Sequence, residues 1–197
     1  MRNYYENDLA DRIYLDHAAT TPMLPQAMGA VAAAMRNWAN PSSPHADGRA
    51  ARAALEQARR DVAAAYGWAH ELIFTSGASE SLQLALGRST ARRRLITAVE
   101  HDSVLRHAEG AQVLPVDGNG LLDLDALGAA LGEGGQALVC VQWANSETGV
   151  LQRVEAIAPL VHQAGGILLV DAAQMPARAD RKSTRLNSSH TDISRMP

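Results

Sequence analysis

The sequence is poor in the residues that would place it in several common classes. It holds one cysteine, Cys140, in 197 residues, which excludes an internal disulfide and fits a reducing compartment. Cys140 lies inside the apolar run Ala137–Val141 and reads as a buried packing thiol rather than a nucleophile. No apolar run approaches the length of a membrane span. The opening Met-Arg-Asn-Tyr-Tyr-Glu-Asn-Asp has no apolar segment of the kind a signal peptide needs, so a cytoplasmic location is expected. A net charge of −3 offers no basic surface to nucleic acid or to an anionic membrane. Metal patterns are missing as well. There is no His-Glu-x-x-His and no cysteine pair, and His101 and His107 stand six apart, which does not set them side by side on a helix. No Gly-x-Gly-x-x-Gly follows an early strand and no Gly-Lys-Ser/Thr occurs, which argues against a nucleotide-binding domain.

Lysine is scarcest of all the charged residues. Lys182 is the only one, and it sits in a tail unlike the rest of the chain. Asp180–His190 resembles the conceptual translation of a common sequencing adapter, and Ser194–Pro197 matches the same oligonucleotide further along in the same frame. Residues 180–197 are therefore expected to be a non-native read-through and are set aside from fold reasoning. On that reading the chain is an N-terminal fragment.

What remains is long enough for one domain with a real core. Pro25–Asn37 reads as a helix, with proline at its first turn and Met28, Val31, Ala32 and Met35 at helical spacing. Asn40-Pro41-Ser42-Ser43-Pro44 is a rigid loop, and a long amphipathic helix follows over Gly48–Tyr66. A short strand is expected at Ile13–Leu15. From Leu72 onward short apolar runs alternate with helical patterns. Strands are expected at Leu72–Thr75, Leu95–Val99, Val113–Val116, Ala137–Gln142 and Ile167–Val170. Helices are expected at Ala78–Arg88, Ser103–Glu109, Asp123–Leu131 and Val154–Ala164. This alternation predicts an α/β fold with a mainly parallel sheet flanked by helices. The expected organisation is an N-terminal segment over residues 1–47 and a truncated large domain over 48–179.

Ligands of open α/β sheets bind beyond the carboxyl ends of the strands. Four expected strand ends carry polar residues: Ser76-Gly77-Ala78-Ser79, Glu100-His101, Asn145-Ser146-Glu147-Thr148-Gly149, and Asp171 with Gln174. The first is a small-residue turn leading into a helix, where free N–H groups and the Ser76 and Ser79 hydroxyls suit a phosphate; ordinary capping by either serine fits the same residues. Asp171 ends a buried strand, and either caps the next helix or holds a cationic group. His101 alone is a loop histidine, and Asn145 alone a turn residue. Asp117-Gly118-Asn119-Gly120 hints at a calcium loop, but Leu121 stands where a ligand belongs, so it reads as a turn. Together, a phosphate nest, an imidazole, an amide and a buried acid suit a phosphorylated heterocycle with a basic ring nitrogen, of which pyridoxal phosphate is the example.

The ordered segments Tyr14-Leu15-Asp16-His17-Ala18-Ala19-Thr20-Thr21-Pro22, Asn40-Pro41-Ser42-Ser43, Phe74–Ser81, Glu100-His101, Asn145–Gly149 and Val170–Gln174 resemble the successive motifs of the cysteine desulfurases. These belong to the class V aminotransferase group of pyridoxal-phosphate enzymes. The resemblance implies part of the large domain of a fold-type I enzyme. It implies that Gly77, Ala78 and Ser79 bind the phosphate, that His101 stacks on the ring, and that Asp171 pairs with the ring nitrogen. Gln174 would bond the ring hydroxyl, with Asn145 near that hydroxyl and the substrate carboxylate, and Ala18, Ala19 and Thr20 would line the substrate entrance. The implied reaction converts L-cysteine to L-alanine and passes sulfur, as a persulfide, toward iron–sulfur cluster or thio-cofactor assembly. The implied partners are a second copy of the parent chain and a sulfur-acceptor scaffold. Sister activities, a selenocysteine lyase or an aminotransferase, share these motifs. The family's Schiff-base lysine and persulfide cysteine are not among the residues matched, so this chain alone is expected to be inactive.

Overall fold

The computed structural model describes residues 13–175. Two compact units divide between Ala58 and Arg59. In the first, α1 (Pro25–Arg36) starts on the expected proline but buries none of its residues. The long helix α2 (Ala46–Tyr66) begins in this unit, where Gly48 packs on the proline-bracketed loop. A Cβ on Gly48 would fall 2.3 Å from the Ser43 carbonyl oxygen and 2.8 Å from that of Asn40, so only glycine permits the approach.

The second unit holds a four-stranded sheet, β1 (Arg93–Thr97), β2 (Gln112–Leu114), β3 (Ala137–Gln142) and β4 (Ile167–Asp171). The strand order is β2-β1-β3-β4, and every pairing is parallel. All six residues of β3 are buried. Its alternate side chains enter two cores, as the two-residue period of a strand requires. Val139 and Val141 join Leu95 and Leu168 under α5 (Leu124–Gly132) and α6 (Val154–Gln163). Leu138 and Cys140 join Ile96 and Leu169 under α3 (Ala78–Arg88) and α4 (Asp102–Leu105). Cys140 is fully buried, as expected, and burial pushes its thiol pKa far up.

The chain leaves β1 for β2 on one side and returns to β3 on the other. The carboxyl ends of β1 and β3 therefore flank a topological switch point, where a crevice opens in such sheets.

The mainly parallel α/β architecture is as the sequence predicts, and the bounds of α3 and β3 coincide with those expected. Two expected strands do not form. Ile13–Leu15 and Leu72–Thr75 belong to no strand, and Ile13, Leu15, Ile73 and Phe74 are exposed. An apolar run becomes a strand only with a neighbouring backbone to pair with, and none pairs with these runs among the described residues. The helix expected over Ser103–Glu109 is the single turn α4, because the chain must fold back at Gly110, whose φ is +72°, to enter β2. Asp117 closes its turn as expected, accepting from the N–H groups of Asn119 at 2.8 Å and Leu121 at 2.9 Å. Among the described residues no helix is long and apolar enough to cross a membrane.

Gly166, where α6 turns into β4, is a second close approach. A Cβ there would meet the Val161 side chain at 2.9 Å and the Ala137 carbonyl at 3.1 Å. Gly166→Ala should lower stability by about 1–3 kcal/mol. Gly128→Ala, inside α5 with open space around it, should raise stability by roughly 0.5–1 kcal/mol. Urea unfolding of both variants checks the pair, and equal effects would contradict this packing.

Candidate functional site

Polar side chains collect at the carboxyl edge of the sheet, on its α3/α4 face. Strand alternation puts them there: Gln142 and Asp171 continue the Leu138–Cys140 and Ile167–Leu169 series and pair in register across β3 and β4. A cleft of about 150 Å³ opens at this edge, lined by Ala78, Ser79, His101, Gln142, Asp171 and Gln174 among others.

Each wall has a local cause. Ala78 and Ser79 form the first turn of α3, whose N–H groups precede any helical carbonyl and face the positive end of the helix. The carboxylate of Glu80 takes the Ser76 N–H at 2.5 Å, and that bond holds its pKa below the usual carboxylate value. Ser76 is thus engaged, which leaves the Ala78 and Ser79 N–H groups and the Ser79 hydroxyl for an anion. Neither serine caps α3, since its N-cap is Gly77 with no side-chain bond.

His101 follows β1 and caps α4. Its Nδ1 accepts the Ser103 N–H at 3.1 Å and lies 2.7 Å from the Ser103 hydroxyl. That acceptor role puts the proton of the neutral ring on Nε2. The ring is tethered by one nitrogen while the residue remains exposed, so its face is open to a flat ligand.

Asp171 is the last residue of β4 and half-buried. Its Oδ1 accepts from the Ala173 N–H at 2.9 Å, a turn contact that leaves carboxylate lone pairs free toward the cleft. The helix-capping alternative does not arise, because no helix follows Asp171 among the described residues.

The structure thus gathers Ala78, Ser79, His101, Asp171 and Gln174 around one space. Two expected cofactor-binding residues lie outside the lining. Gly77 stands one position before it, with open space where a Cβ would be. The side chain of Asn145 turns into its own loop. Its Oδ1 accepts from Glu147 and Thr148 N–H groups at 2.9 and 2.8 Å, and its Nδ2 donates to the Val99 carbonyl at 3.2 Å. Ala18, Ala19 and Thr20 belong to the first unit, in an exposed turn closed on Asp16 by the Ala19 N–H at 3.1 Å and the Thr20 N–H at 3.3 Å. The expected rim of four strand ends is three strand ends and a helix start, since Leu72–Thr75 is not a strand.

One group lay unrecognised beside His101. Glu100 is buried, and its Oε1 accepts the Thr97 hydroxyl at 2.5 Å and the Gln142 N–H at 3.1 Å. Burial pushes its carboxyl up to about 7, against the pull of those two hydrogen bonds, and the negative charge of Asp171 adds to the rise. The signal was available: a carboxylate where a buried strand emerges applies to Glu100 as it does to Asp171.

These groups fit a flat, phosphorylated heterocycle with a cationic ring atom. The donors for an anion, an open aromatic face and an acid lie around the same space, and the acid is not consumed by an internal ion pair among the described salt bridges. Because folded Glu100 keeps its proton to higher pH than the unfolded chain, the contribution of this group to stability is fully present below about 4.5 and is lost as pH rises through about 7. Glu100→Gln should match the parent chain at pH 4 and exceed it at pH 8 by up to about 3 kcal/mol. Urea midpoints at the two pH values test this, and a pH-independent difference would contradict it.

The chain is similar to known proteins over most of its length. The family model for aminotransferase class-V matches residues 13–187. A cysteine desulfurase of Cereibacter sphaeroides is 41% identical over 180 residues, covering 83% of this chain and 46% of that protein. An IscS-like cysteine desulfurase of Mycobacterium tuberculosis is also 41% identical over 180 residues, covering 82% and 46%. A solved NifS-like protein from Rickettsia africae superposes with a TM-score of 0.76 at 31% identity, over 80% of this chain and 47% of that one. The structure of SspA in complex with cysteine gives 0.71 at 28% identity, over 82% and 50%. The chain spans about half the length of the curated relatives it matches. The family match takes in every strand and helix described above, and the chain belongs to the class-V aminotransferase family.

Proposed function

We propose that this chain is the cofactor-binding part of a pyridoxal-phosphate-dependent cysteine desulfurase. The parent enzyme would convert L-cysteine to L-alanine and pass the sulfur, as a persulfide, toward iron–sulfur cluster or thio-cofactor assembly. The relatives named cysteine desulfurase support the reaction class. The observation that carries the reading is the convergence of the α3 first turn, His101, Asp171 and Gln174 on one cleft.

In this reading Ala78 and Ser79 hold the phosphate through their N–H groups, helped by the Ser79 hydroxyl and by the open approach at Gly77. His101 covers one face of the ring and keeps water from it. Asp171 accepts from the protonated ring nitrogen, and Gln174 bonds the ring hydroxyl. Bound pyridoxal phosphate would supply an electron sink at the substrate α-carbon, which an acid at the ring nitrogen favours. Asn145 acts here through Val99, bracing the segment that carries His101, and its contact with the substrate carboxylate is part of the proposal. The substrate-side role of Ala18, Ala19 and Thr20 rests on their motif alone. A homodimeric parent, a scaffold that accepts the sulfur, and a cytoplasmic location complete the proposal.

This chain on its own should bind the cofactor without turning over. Its one lysine, Lys182, lies outside the described residues, and its one thiol, on Cys140, is sealed in the core. Titrating the full 197-residue chain with pyridoxal phosphate, followed by absorbance, should give saturable binding. Asp171→Ala should weaken it by about tenfold or more, and Ser79→Ala by several-fold. Equal affinity in all three, or no saturable binding, would overturn the site. With L-cysteine added, sulfide release should not exceed that of free cofactor, and release above that blank would show that the chain carries a working nucleophile.

A further inference from the structure

The end of β1 is fastened more heavily than a strand exit needs. Thr97, Glu100 and Gln142 are all buried. Glu100 Oε1 takes hydrogen bonds from both the Thr97 hydroxyl and the Gln142 backbone. The Val99 carbonyl, one residue earlier, accepts from the Gln142 and Asn145 side-chain amides. The two residues before His101 are thus tied to the exit of β3, and Gln142 there pairs in register with Asp171.

The other oxygen of the same carboxyl, Glu100 Oε2, is buried with no hydrogen-bond partner among the described residues. An ionised carboxylate would leave that oxygen bare in a dry place, which is costly. Of the titratable groups around it, Asp171 on β4 makes ionisation worse as a second anion; the Cys140 thiol on β3 is uncharged, and His101 is next in the chain. Two neighbouring carboxyls in such a setting do not both ionise readily.

Resting on the reading of the cleft as a pyridoxal-phosphate site, we propose that Glu100 is a positioning residue working as an uncharged acid. It clamps the segment bearing His101 to the end of β3 and leaves Asp171 as the anion that meets the ring nitrogen. The upward push of burial on the Glu100 carboxyl agrees with this assignment. An amide has the shape and neutrality of the acid form, so glutamine should replace Glu100, whereas alanine removes the clamp.

Two measurements on the full chain test the proposal. In the ligand-free protein, carboxyl 13C shifts of labelled glutamate, with Glu100 assigned by its loss in Glu100→Gln, should show that residue titrating near pH 7. With pyridoxal phosphate, Glu100→Gln should keep the Kd within about threefold of the parent and preserve the induced circular dichroism of the bound ring. Glu100→Ala should raise the Kd at least tenfold and lose the dichroism. A Glu100 carboxyl titrating below pH 5, or glutamine and alanine equally damaging, would overturn the proposal. Absence of cofactor binding by the parent chain would instead remove the reading of the cleft, while the 13C titration would still decide whether Glu100 is uncharged.

Discussion

Burial of β3 on both faces governs the second unit. All six residues are buried, Leu138–Cys140 pair with a neighbouring strand on both sides, and helices cover both faces, so no polar side chain is tolerated until the strand ends. The same constraint acts on β1 and β4, its neighbours in the ladder. Polarity is forced to the strand ends, and since all pairings are parallel, the carboxyl ends lie together on one edge. The cleft is therefore a by-product of the packing as much as an addition to it. What chemistry it holds depends on which polar residues occupy those ends.

The edge is not a passive rim. Gln142 is the hinge of its polar network: its backbone serves Glu100, its side chain serves Val99, and its strand position sets it against Asp171. Few polar groups there are without a second duty. Asn145 closes its own loop and braces the exit of β1, and Ser103 both starts α4 and holds the His101 ring. Hydrogen bonds shared in this way hold the ring of His101 and the exits of β1 and β3 in fixed positions.

Much of this was readable from the residues. The uninterrupted runs of β3 and β4 announced strands buried on both faces, and the turns after them announced where polar groups would lie. That logic leads to Asp171 and His101, whereas the start of α3 is reached through a strand at Leu72–Thr75 that does not form. Leu72–Thr75 and Ile13–Leu15 show its limit, because an apolar run reports what a segment would bury and not whether another backbone lies beside it. Asn145 shows a different limit. An amide in a glycine-terminated loop fits a turn or a ligand equally, and only coordinates show its oxygen spent on Glu147 and Thr148. Glu100 meets the same criterion as Asp171, a carboxylate where a buried strand emerges, and only coordinates show its Oε2 buried without a hydrogen-bond partner among the described residues.

The sealing of Cys140 reaches beyond packing. The chain's entire sulfhydryl content is walled between two helical layers in the middle of the sheet. A folded molecule offers nothing for an alkylating reagent or for a disulfide with a second copy. Cross-linked species on a non-reducing gel would accordingly count molecules whose sheet has come apart, and the lone thiol serves as a built-in gauge of whether this unit is intact.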